Sequence, residues 1–512
     1  MKRDRLFVSI RKQNYMNIAH YINSSFNRGA RFLYAAVMLS LIPTACRQTS
    51  TNTIKAEVLE HQLVTHTPMV EIDLKEIKDR GYLTAILYGN RSSYYLYKGT
   101  PRGYEYELLQ SLSKSLDVDL KVKMTDSFAS AMKLLNAGEG DVIAHNLSQT
   151  NRRKLLVNFT DALREEAPAL VQRKVGRKNP VSPEQPTEFL VKRVELANKT
   201  VYVAKNTVYA NMLHRLSLIC KAPVDVQVVD KSTDELIREV AEGLIDYTIA
   251  DQYIANSKAV YFGNLDTEMA IDEAQPLSWA VRKNSPELLA ATNDWLTQIK
   301  RTFRFNGIYN RYFMDEKRLK LRNDSEFSSL NGARLSPYDE LIREGAENIR
   351  WDWRLLAAQI YQESLFNPHA KSWMGAEGLM QVMPNTAKFF GKDSEKLYDP
   401  HHNIEAGTEY LNWLNKFWAK RVENPEERIK FILASYNAGQ GHVLDAQRLA
   451  EKYGKDTKTW DDNVEVFMLK KSEAEYYKDP VVKSGYCRGR EPVAYVKNIM
   501  SRYESYQQLI PS

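Results

Sequence analysis

The 512-residue chain has few cysteines and no long apolar run, and each shortage excludes a class of protein. Three cysteines are too few for a disulfide-rich scaffold. No segment reaches the roughly 20 consecutive apolar residues that a membrane-spanning helix needs. Hydrophobic residues make up 43% and charged residues 26%, which is typical of a globular chain and excludes a disordered one. At roughly 100–200 residues per domain, this length predicts two to four domains.

The basic excess is confined to the N-terminus. The formal charge is +7, and residues 1–45 contain seven basic residues and one acidic residue. The remainder is close to neutral and offers no broad basic face, so we predict no nucleic-acid partner.

His401 and His402 are adjacent but lack partners at metal-ligand spacing. We therefore expect neither a metal ion nor a cofactor.

Residues 1–45 are typical of an export signal, in which basic residues precede a short apolar run and small residues. The run Phe32–Ile42 is too short to span a membrane, which favours a cleaved signal over an anchor helix. Small residues followed by Cys46 resemble the bacterial lipobox, although Pro43 stands where that motif prefers Leu. The resemblance implies a lipid on Cys46. The alternative is an ordinary cleavage site with Cys46 just beyond it.

Residues 46–71 are polar and rich in Thr, and they lack a helical or strand period. They predict a tether between the N-terminus and the first folded domain. With a lipid at Cys46, the protein would be a peripheral protein on the periplasmic face of the outer membrane of a bacterial cell envelope.

Residues 72–315 alternate between strand and helix patterns. Tyr82–Tyr88 and Val118–Met124 alternate as strands on either side of an amphipathic helix, Tyr104–Leu116. A similar set begins with the strand Thr200–Ala204. Such alternation predicts mostly parallel sheets with helices on both faces. Because the pattern occurs twice, we predict two lobes with a cleft between them.

The same domain resembles the type 3 solute-binding family, whose members bind amino acids between two α/β lobes. NLSQTNRRKLLVNF is similar to the family's T-x-x-R-x-x-x-x-x-F signature, and EGLIDYTIAD resembles a segment that ends in an acidic ligand contact. The resemblance implies that Arg153 binds a carboxylate and Asp251 an ammonium group of an amino acid or muropeptide. The residues alone favour Arg153 as one of several exposed cations. Asn206-Thr207 replaces the family's Gly-Ser/Thr contact, which leaves the ligand class open.

After residue 315 the pattern changes. Residues 316–334 are charged and predict a linker, and residues 335–510 predict an all-α domain. Its helical patterns cover Pro337–Glu347, Trp353–Phe366, Pro384–Phe390, Ile404–Trp418, Pro425–Tyr436 and Gly441–Tyr453.

One of these helices carries a carboxylate on its apolar face. Leu356, Gln359, Ile360 and Glu363 share a face by their 3–4 spacing. Burial of a carboxyl group raises its pKa, which would make Glu363 a candidate general acid near neutral pH. The spacing by itself favours the alternative, a partly exposed Glu at a helix end beside a Lys.

Residues 363–387, ESLFNPHAKSWMGAEGLMQVMPNTA, resemble the core motif of the soluble-lytic-transglycosylase family at nearly every specified position. DPHHNIEAGTEYLNWL, SYNAG at 435–439 and GYCRGREPVAYVKNIMSRY are similar to its three later motifs in the same order. The resemblance implies a lysozyme-like fold and cleavage of the β-1,4 bond between N-acetylmuramic acid and N-acetylglucosamine in peptidoglycan glycan strands.

The resemblance further implies that Glu363 protonates the glycosidic oxygen and then acts as base, while the muramic 6-hydroxyl attacks to give 1,6-anhydro ends. Tyr495 is implied to lie beside Glu363, and four residues are implied to line the saccharide groove: Ser364, Gln381, Tyr436 and Asn437. Met380 and Met374 either pack on sugar faces or belong to the core, and for Met374 we expect the core. Glu377 is near in sequence but has no role in the family pattern.

The two resemblances together predict an envelope enzyme that degrades peptidoglycan and is regulated by a ligand of its first domain. One alternative is a hydrolytic muramidase on the same fold, which would leave reducing rather than anhydro ends. Another is a ligand receptor with a vestigial catalytic domain. The intact motif around Glu363 argues against the second alternative.

Overall fold

The computed structural model describes residues 69–88, 93–176, 188–205, 207–220, 222–330 and 332–511. The predicted export signal, most of the tether and the lipidation site at Cys46 therefore lie outside the described residues, as does Asn206.

The first domain alternates between strands and helices as predicted. Its elements, in chain order, are α1 Leu74–Arg80, β1 Tyr82–Tyr88, β2 Tyr95–Tyr97, β3 Thr100–Arg102, α2 Tyr104–Leu116, β4 Asp119–Thr125, α3 Phe128–Asn136, β5 Val142–Ser148, α4 Asn151–Leu156, β6 Asn158–Phe159, β7 Arg164–Glu166, β8 Pro168–Arg173, β9 Thr200–Ala204, α5 Tyr209–Cys220, β10 Asp225–Val229, α6 Thr233–Glu242, β11 Thr248–Asp251, α7 Gln252–Phe262, β12 Leu265–Asp266, β13 Gln275–Val281, α8 Pro286–Lys300, α9 Phe303–Phe313 and α10 Glu316–Asp324. The helix predicted at Tyr104–Leu116 is confirmed at both ends.

Two sheets confirm the two predicted lobes. The first has the strand order β4-β1-β5-β13-β6, with β7 paired to β13, and the second has the order β10-β9-β11-β8-β12. The neighbours of β1 and β9 are parallel, whereas β13 and β8 join each sheet antiparallel. These two strands were not predicted, because every residue of β8 is buried and such strands lack the polar alternation of half-exposed ones.

The predicted linker, residues 316–334, contains a helix. Leu319 in α10 is buried, and α10 packs against α7 and α9 of the first domain. Further along, the backbone N–H of Ser329 donates to the carbonyl of Leu96 in β2, and the N–H of Leu96 donates to the Ser329 hydroxyl, both at 2.9 Å. The charged surface of this segment therefore covers an apolar inner side.

The second domain is helical. Its elements are α11 Asp339–Ile349, α12 Trp353–Ser364, α13 Pro384–Phe389, α14 Pro400–Ala419, α15 Pro425–Ala438, α16 Gln440–Lys452, α17 Glu465–Lys470, α18 Ala474–Tyr477 and α19 Arg490–Leu509. α12, α14, α15 and α19 enclose one hydrophobic core. The last helix, α19, was not predicted from its pattern, although its motif was recognised.

The β2–β3 hairpin of the first domain packs on the second domain. Leu96 belongs to the core of the helical domain, and the Tyr506 hydroxyl of α19 donates a 2.9 Å hydrogen bond to the carbonyl of Gly99. Gly99 has φ +69°, and a Cβ there would overlap the ring of Tyr361 in α12. The hairpin thus touches the helix that carries Glu363, two residues before that carboxylate.

Candidate active site

Helix α12 places Glu363 in its last turn. The Asp352 side chain caps its start by accepting from the backbone N–H of Arg354 at 2.9 Å. The helix ends at Ser364, two residues earlier than predicted, because Leu365 and Phe366 adopt left-handed conformations with φ of 55° and 59°. With this backbone conformation after the helix, Phe366 is buried in the core and Leu365 is exposed.

The Glu363 carboxyl group is half-buried, and burial raises its pKa to about 7. The Tyr495 hydroxyl donates a short hydrogen bond to Glu363 Oε1, which lowers that pKa but does not reverse the effect of burial. Among the described residues, no basic group and no second carboxylate pairs with Glu363. The side chain can therefore hold a proton at neutral pH and release it in a later step.

Tyr495 is fixed from the core side. Its ring is buried in α19, and this burial, together with the charge of Glu363, raises the pKa of its hydroxyl well above the ordinary value. Gln359 is fully buried in α12, one turn before Glu363. The sequence pattern placed Gln359 on the apolar stripe, whereas Tyr495, 132 residues from Glu363, was placed beside that carboxylate only by the family resemblance.

Tyr436 lies near enough to Glu363 to feel the charge of its carboxylate. Its hydroxyl donates a 2.9 Å hydrogen bond to the carbonyl of Met380. Burial raises its pKa well above the ordinary value, and the negative charge of Glu363 adds to that effect. The phenol therefore stays neutral at physiological pH.

The loop that carries Gln381 is braced by its own amides. Gln381 has φ +48°, and its Nε2 donates to the carbonyls of Ala370 and Gly378 at 3.0 and 2.9 Å. The buried Asn403 side chain donates to the carbonyls of Glu377 and Leu397, and its Oδ1 accepts from the N–H of Met380 at 2.7 Å. Asn403, which belongs to the segment DPHHNIEAGTEYLNWL, thus holds the loop formed by the core motif at residues 363–387.

The remaining predicted groove residues differ in exposure. Asn437 is exposed, whereas Ser364 is buried, and its hydroxyl donates to the carbonyl of Ile360 at 3.1 Å. The expectation for Met374 was wrong, because its side chain is 60% exposed at a turn. Met380 is fully buried and packs against Gly407, so its carbonyl, not its thioether, faces Tyr436.

A buried ion pair supports the segment that leads into α19. Lys471 and Asp445 are both fully buried, with Nζ and Oδ2 2.8 Å apart, and the Lys471 ammonium also contacts His442 Nδ1 at 3.1 Å. Asp445 accepts from the backbone N–H groups of Lys483 and Ser484 at 2.9 and 2.7 Å. Burial opposes ionisation, but these bonds lower the pKa of Asp445 below its ordinary value. The sequence gave no signal for this network.

In the first domain, Arg153 is half-buried while its neighbours in the basic run are exposed. The Thr150 hydroxyl caps α4 by accepting from the N–H of Arg153 at 3.3 Å. The guanidinium donates to the carbonyl of Ser148 at 3.2 Å and lies 4.9 Å from the ring centre of Phe128. These contacts distinguish Arg153 from the exposed Arg152 and Lys154 beside it.

Asp251 ends β11 in the other lobe and accepts a 2.9 Å hydrogen bond from Tyr209. Burial raises its pKa to about 6, and the Tyr209 hydroxyl and the charge of Arg153 both lower it. The two predicted ligand contacts therefore lie within electrostatic reach of each other. Among the described residues, no group of three or more His, Cys, Asp or Glu side chains could hold a metal ion.

The chain was compared with known proteins. Residues 340–459 match the Transglycosylase SLT domain family, and residues 90–315 match the family of bacterial extracellular solute-binding proteins, family 3. A relative from Desulfosudis oleivorans, named membrane-bound lytic murein transglycosylase F, is 34% identical over 438 residues, covering 85% of this chain and 92% of the relative. The chain belongs to the membrane-bound lytic murein transglycosylase F family.

Other members of the transglycosylase F family are similar over nearly the same extent. Relatives from Pseudomonas fluorescens and Stutzerimonas stutzeri are 30% and 31% identical, each alignment covering 84% of this chain and 86% of the relative. The predicted order, a solute-binding domain before a lytic transglycosylase domain, is confirmed. Tyr495 lies beyond the matched range 340–459, so its place beside Glu363 rests on the structure.

Solved structures resemble the solute-binding part of this transglycosylase F family member. A mutant of ArgBP from T. maritima is 22% identical with a TM-score of 0.40, covering 48% of this chain and 100% of that one. An ancestral arginine-binding protein bound to arginine is 22% identical with a TM-score of 0.38, covering 46% and 99%. Within the described residues, no helix combines the length and apolarity needed to cross a membrane.

Proposed function

We propose that Glu363 is the acid and base with which this peptidoglycan lytic transglycosylase cleaves the β-1,4 bond between N-acetylmuramic acid and N-acetylglucosamine. The observation that carries this role is the Glu363 carboxyl group itself, which has a pKa of about 7 and a hydrogen bond from Tyr495. A carboxyl group of that pKa suits proton donation at neutral pH and proton acceptance in the next step.

One carboxylate suffices if the nucleophile belongs to the substrate. Protonation of the glycosidic oxygen by Glu363 breaks the bond from the muramic C1 to the leaving sugar. Glu363 then takes the proton of the muramic 6-hydroxyl as that oxygen bonds to C1, which leaves a 1,6-anhydro ring and restores the acid. No water is consumed.

Hydrolysis usually needs a second carboxylate flanking the bond. Glu377 does not fit that role, because its Oε1 lies 2.9 Å from the Lys371 ammonium. Mass analysis of muropeptides released by the full-length protein distinguishes the two reactions. Reducing ends, each heavier by one water, would favour a muramidase.

We expect Tyr495 to set the basic limb of the pH profile. Its hydrogen bond lowers the pKa of Glu363, so Tyr495→Phe should raise that pKa above about 7 and move the fall in activity to higher pH. Loss of the positioning bond should also reduce kcat/KM by about tenfold at the optimum. A pH–rate profile on purified peptidoglycan checks both effects, with Tyr453→Phe, an exposed tyrosine of the helical domain, as control. A Tyr495→Phe profile that coincides with wild type would remove Tyr495 from the site.

The groove roles follow from position. Tyr436 and the exposed Asn437 lie in the last turn of α15, and Tyr436 is near enough to Glu363 to feel its charge, which suits contacts to the sugar rings and N-acetyl groups. Gln381 Nε2 donates to two backbone carbonyls, which leaves Gln381 Oε1 to accept from the substrate. Ser364, being buried and bonded to Ile360, supports the turn of the chain below the groove.

The first domain is proposed to bind an amino acid or stem peptide and to regulate cleavage. Arg153 and Asp251 come from different lobes and suit the two charges of a zwitterion. The β2–β3 hairpin offers a route for coupling, because it contacts Tyr361 in the catalytic helix and Tyr506 in α19, which packs against that helix.

Arg153→Ala should weaken muropeptide binding about 10–100-fold, since a charge-assisted hydrogen bond contributes about 1.5–3 kcal/mol. Calorimetry on the full-length soluble protein provides the measurement, and Lys154→Ala, an exposed neighbour, provides the control. Equal affinities of wild type and Arg153→Ala would leave Arg153 without a ligand role.

Cys46 is proposed to carry the lipid that anchors the protein in the envelope. Stable anchoring needs more than one acyl chain, which a multiply acylated Cys supplies. Cys46→Ala should therefore move the protein from the membrane fraction to the soluble envelope fraction, as judged by fractionation. Retention in the membrane would favour an uncleaved N-terminal anchor.

A further inference from the structure

Gln359 is a buried amide in a stretch of α12 whose other buried residues are apolar. Those residues lie between Trp353 and Ile360, and Gln359 among them is fully buried. Within the part of the chain that the structure describes, neither Nε2 nor Oε1 of Gln359 has a hydrogen bond of ordinary geometry. Ser364, the other buried polar residue of this helix, donates to the carbonyl of Ile360. Burying an amide without a partner destabilises a protein, so folding does not explain Gln359.

This amide lies on the side of α12 that carries Glu363. Gln359 precedes Glu363 by four residues, about one turn, so the two side chains project from the same face of the helix. Long helical side chains lean toward the N-terminus, which directs the Glu363 carboxyl group toward the turn that holds Gln359. Tyr495 reaches Glu363 from α19, which packs against α12. Gln359, Glu363 and Tyr495 therefore lie together where α12 and α19 meet.

The Tyr495 hydroxyl can accept a hydrogen bond as well as donate one. It gives its one proton to Glu363 Oε1, which leaves the lone pairs of its oxygen to accept. Burial and the charges of Glu363 and Tyr436 raise the pKa of Tyr495, whereas a contact with the Gln359 side chain lowers it. A polar contact that lowers the pKa of a phenol is one that donates to its oxygen. Tyr436 is not that donor, because its own hydroxyl proton goes to the carbonyl of Met380.

We propose that Gln359 is a positioning residue, whose Nε2–H group donates to the Tyr495 hydroxyl and so holds the O–H bond of Tyr495 on Glu363. Donation to a hydroxyl oxygen polarises the O–H group and strengthens the hydrogen bond that it gives in turn. The contact is looser here than an ordinary hydrogen bond, and catalytic hydrogen bonds often tighten only when substrate binds. Because Gln359 is fully buried, it acts through Tyr495 rather than on the substrate. The inference rests on the proposed role of Glu363.

Gln359→Met tests this role, because methionine has a similar length but no amide. Full-length wild type, Gln359→Met, Tyr495→Phe and the double variant are compared by pH–rate profiles on solubilised peptidoglycan, and the Tm of each is measured. Gln359→Leu, which is branched, checks that the result does not depend on the packing of one side chain.

Gln447→Met is the matched control. Gln447 lies partly buried in α16, and its Nε2 donates to the carbonyl of Thr457 at 2.8 Å. Because this variant loses a bonded amide, its Tm should fall while its pH profile stays that of wild type. Removal of the unpartnered amide in Gln359→Met should instead leave the Tm at or above that of wild type.

We expect Gln359→Met to lower kcat about three- to tenfold with KM unchanged. The basic limb of the profile should move to higher pH, by less than in Tyr495→Phe, because a weaker bond from Tyr495 favours the protonated form of Glu363. In the Tyr495→Phe background the same substitution should change neither the rate nor the profile. Equal losses of activity in both backgrounds, or an unchanged profile, would overturn the inference and leave Gln359 as a packing residue.

An NMR titration of the Glu363 carboxyl group, assigned with Glu363→Gln, separates this inference from the proposed function. A higher pKa of Glu363 in Gln359→Met than in wild type would support the positioning bond even if wild type cleaved no peptidoglycan. An unchanged pKa of Glu363 would refute it whatever the activity.

Discussion

Replacing Glu363 with Gln should reduce turnover of purified peptidoglycan by about 10²–10⁴-fold, the usual range for loss of a general acid and base. Gln keeps the size and hydrogen-bonding shape of the side chain but has no proton to donate at neutral pH. Tyr495 would still find an acceptor in the amide oxygen, so the local structure should persist. The measurement is release of anhydromuropeptides over time, followed by mass analysis.

Glu377→Gln is the matched control, because Glu377 is a nearby carboxylate engaged with Lys371. It should retain near-normal turnover. If Glu377→Gln were as inactive as Glu363→Gln, a second carboxylate would be at work and hydrolysis would be favoured. Near-normal turnover of Glu363→Gln would falsify the catalytic assignment.

Stability provides the folding check for Glu363→Gln. The pKa of Glu363 is raised from about 4.5 to about 7 on folding, so the folded protein binds this proton more tightly than the unfolded chain. The stabilisation from protonated Glu363 is full below pH 4.5 and is lost as the pH rises through 7. Glu363→Gln should therefore be at least as stable as wild type at pH 8, with a gain on the order of 1–3 kcal/mol.

Asp445→Ala should destabilise the helical domain by about 3–5 kcal/mol, because it leaves the buried Lys471 ammonium without its counter-ion. Two backbone N–H groups, those of Lys483 and Ser484, would also lose their acceptor. For a domain of this size the fall in Tm should be about 10 °C. Thermal melting followed by circular dichroism of the helices checks it.

Glu423→Ala serves as the contrasting control, since Glu423 and Lys458 form an ion pair with side chains 87% and 58% exposed. Such a surface pair contributes about 0–1 kcal/mol, so its Tm should barely change. The double variant Asp445→Leu, Lys471→Met should recover much of the loss, because apolar side chains remove both buried charges. A stable Asp445→Ala protein would show that the network does not support the segment before α19.

The position of Glu363 could be predicted because its signals are local. Helical spacing put it on an apolar stripe, and the motif around it implied its role through the family resemblance. The start of α12 at Trp353 was also predicted from its helical pattern, and the structure shows Asp352 capping it. The end of α12 was not, because two left-handed residues, Leu365 and Phe366, are set by burial of Phe366 against the core.

Side-chain exposure in the motif loop could not be predicted in the same way. Met374 and Met380 have the same chemistry and lie six residues apart, yet one is exposed and the other buried. The difference arises because Gly407 of α14 leaves room for the Met380 thioether. Distant packing of this kind leaves no periodic signal in the loop.

By itself the sequence determined the two domain types and their order and indicated Glu363 as the candidate acid, because helical periods, strand alternation and motif spacing are properties of neighbouring residues. Only the tertiary structure decided how that acid is tuned. The hydroxyl that bonds Glu363 comes from α19, and the nearby Tyr436 comes from α15. These groups meet because separate helices bury a common core, and a pKa set by burial and by such contacts exists only once that core has formed.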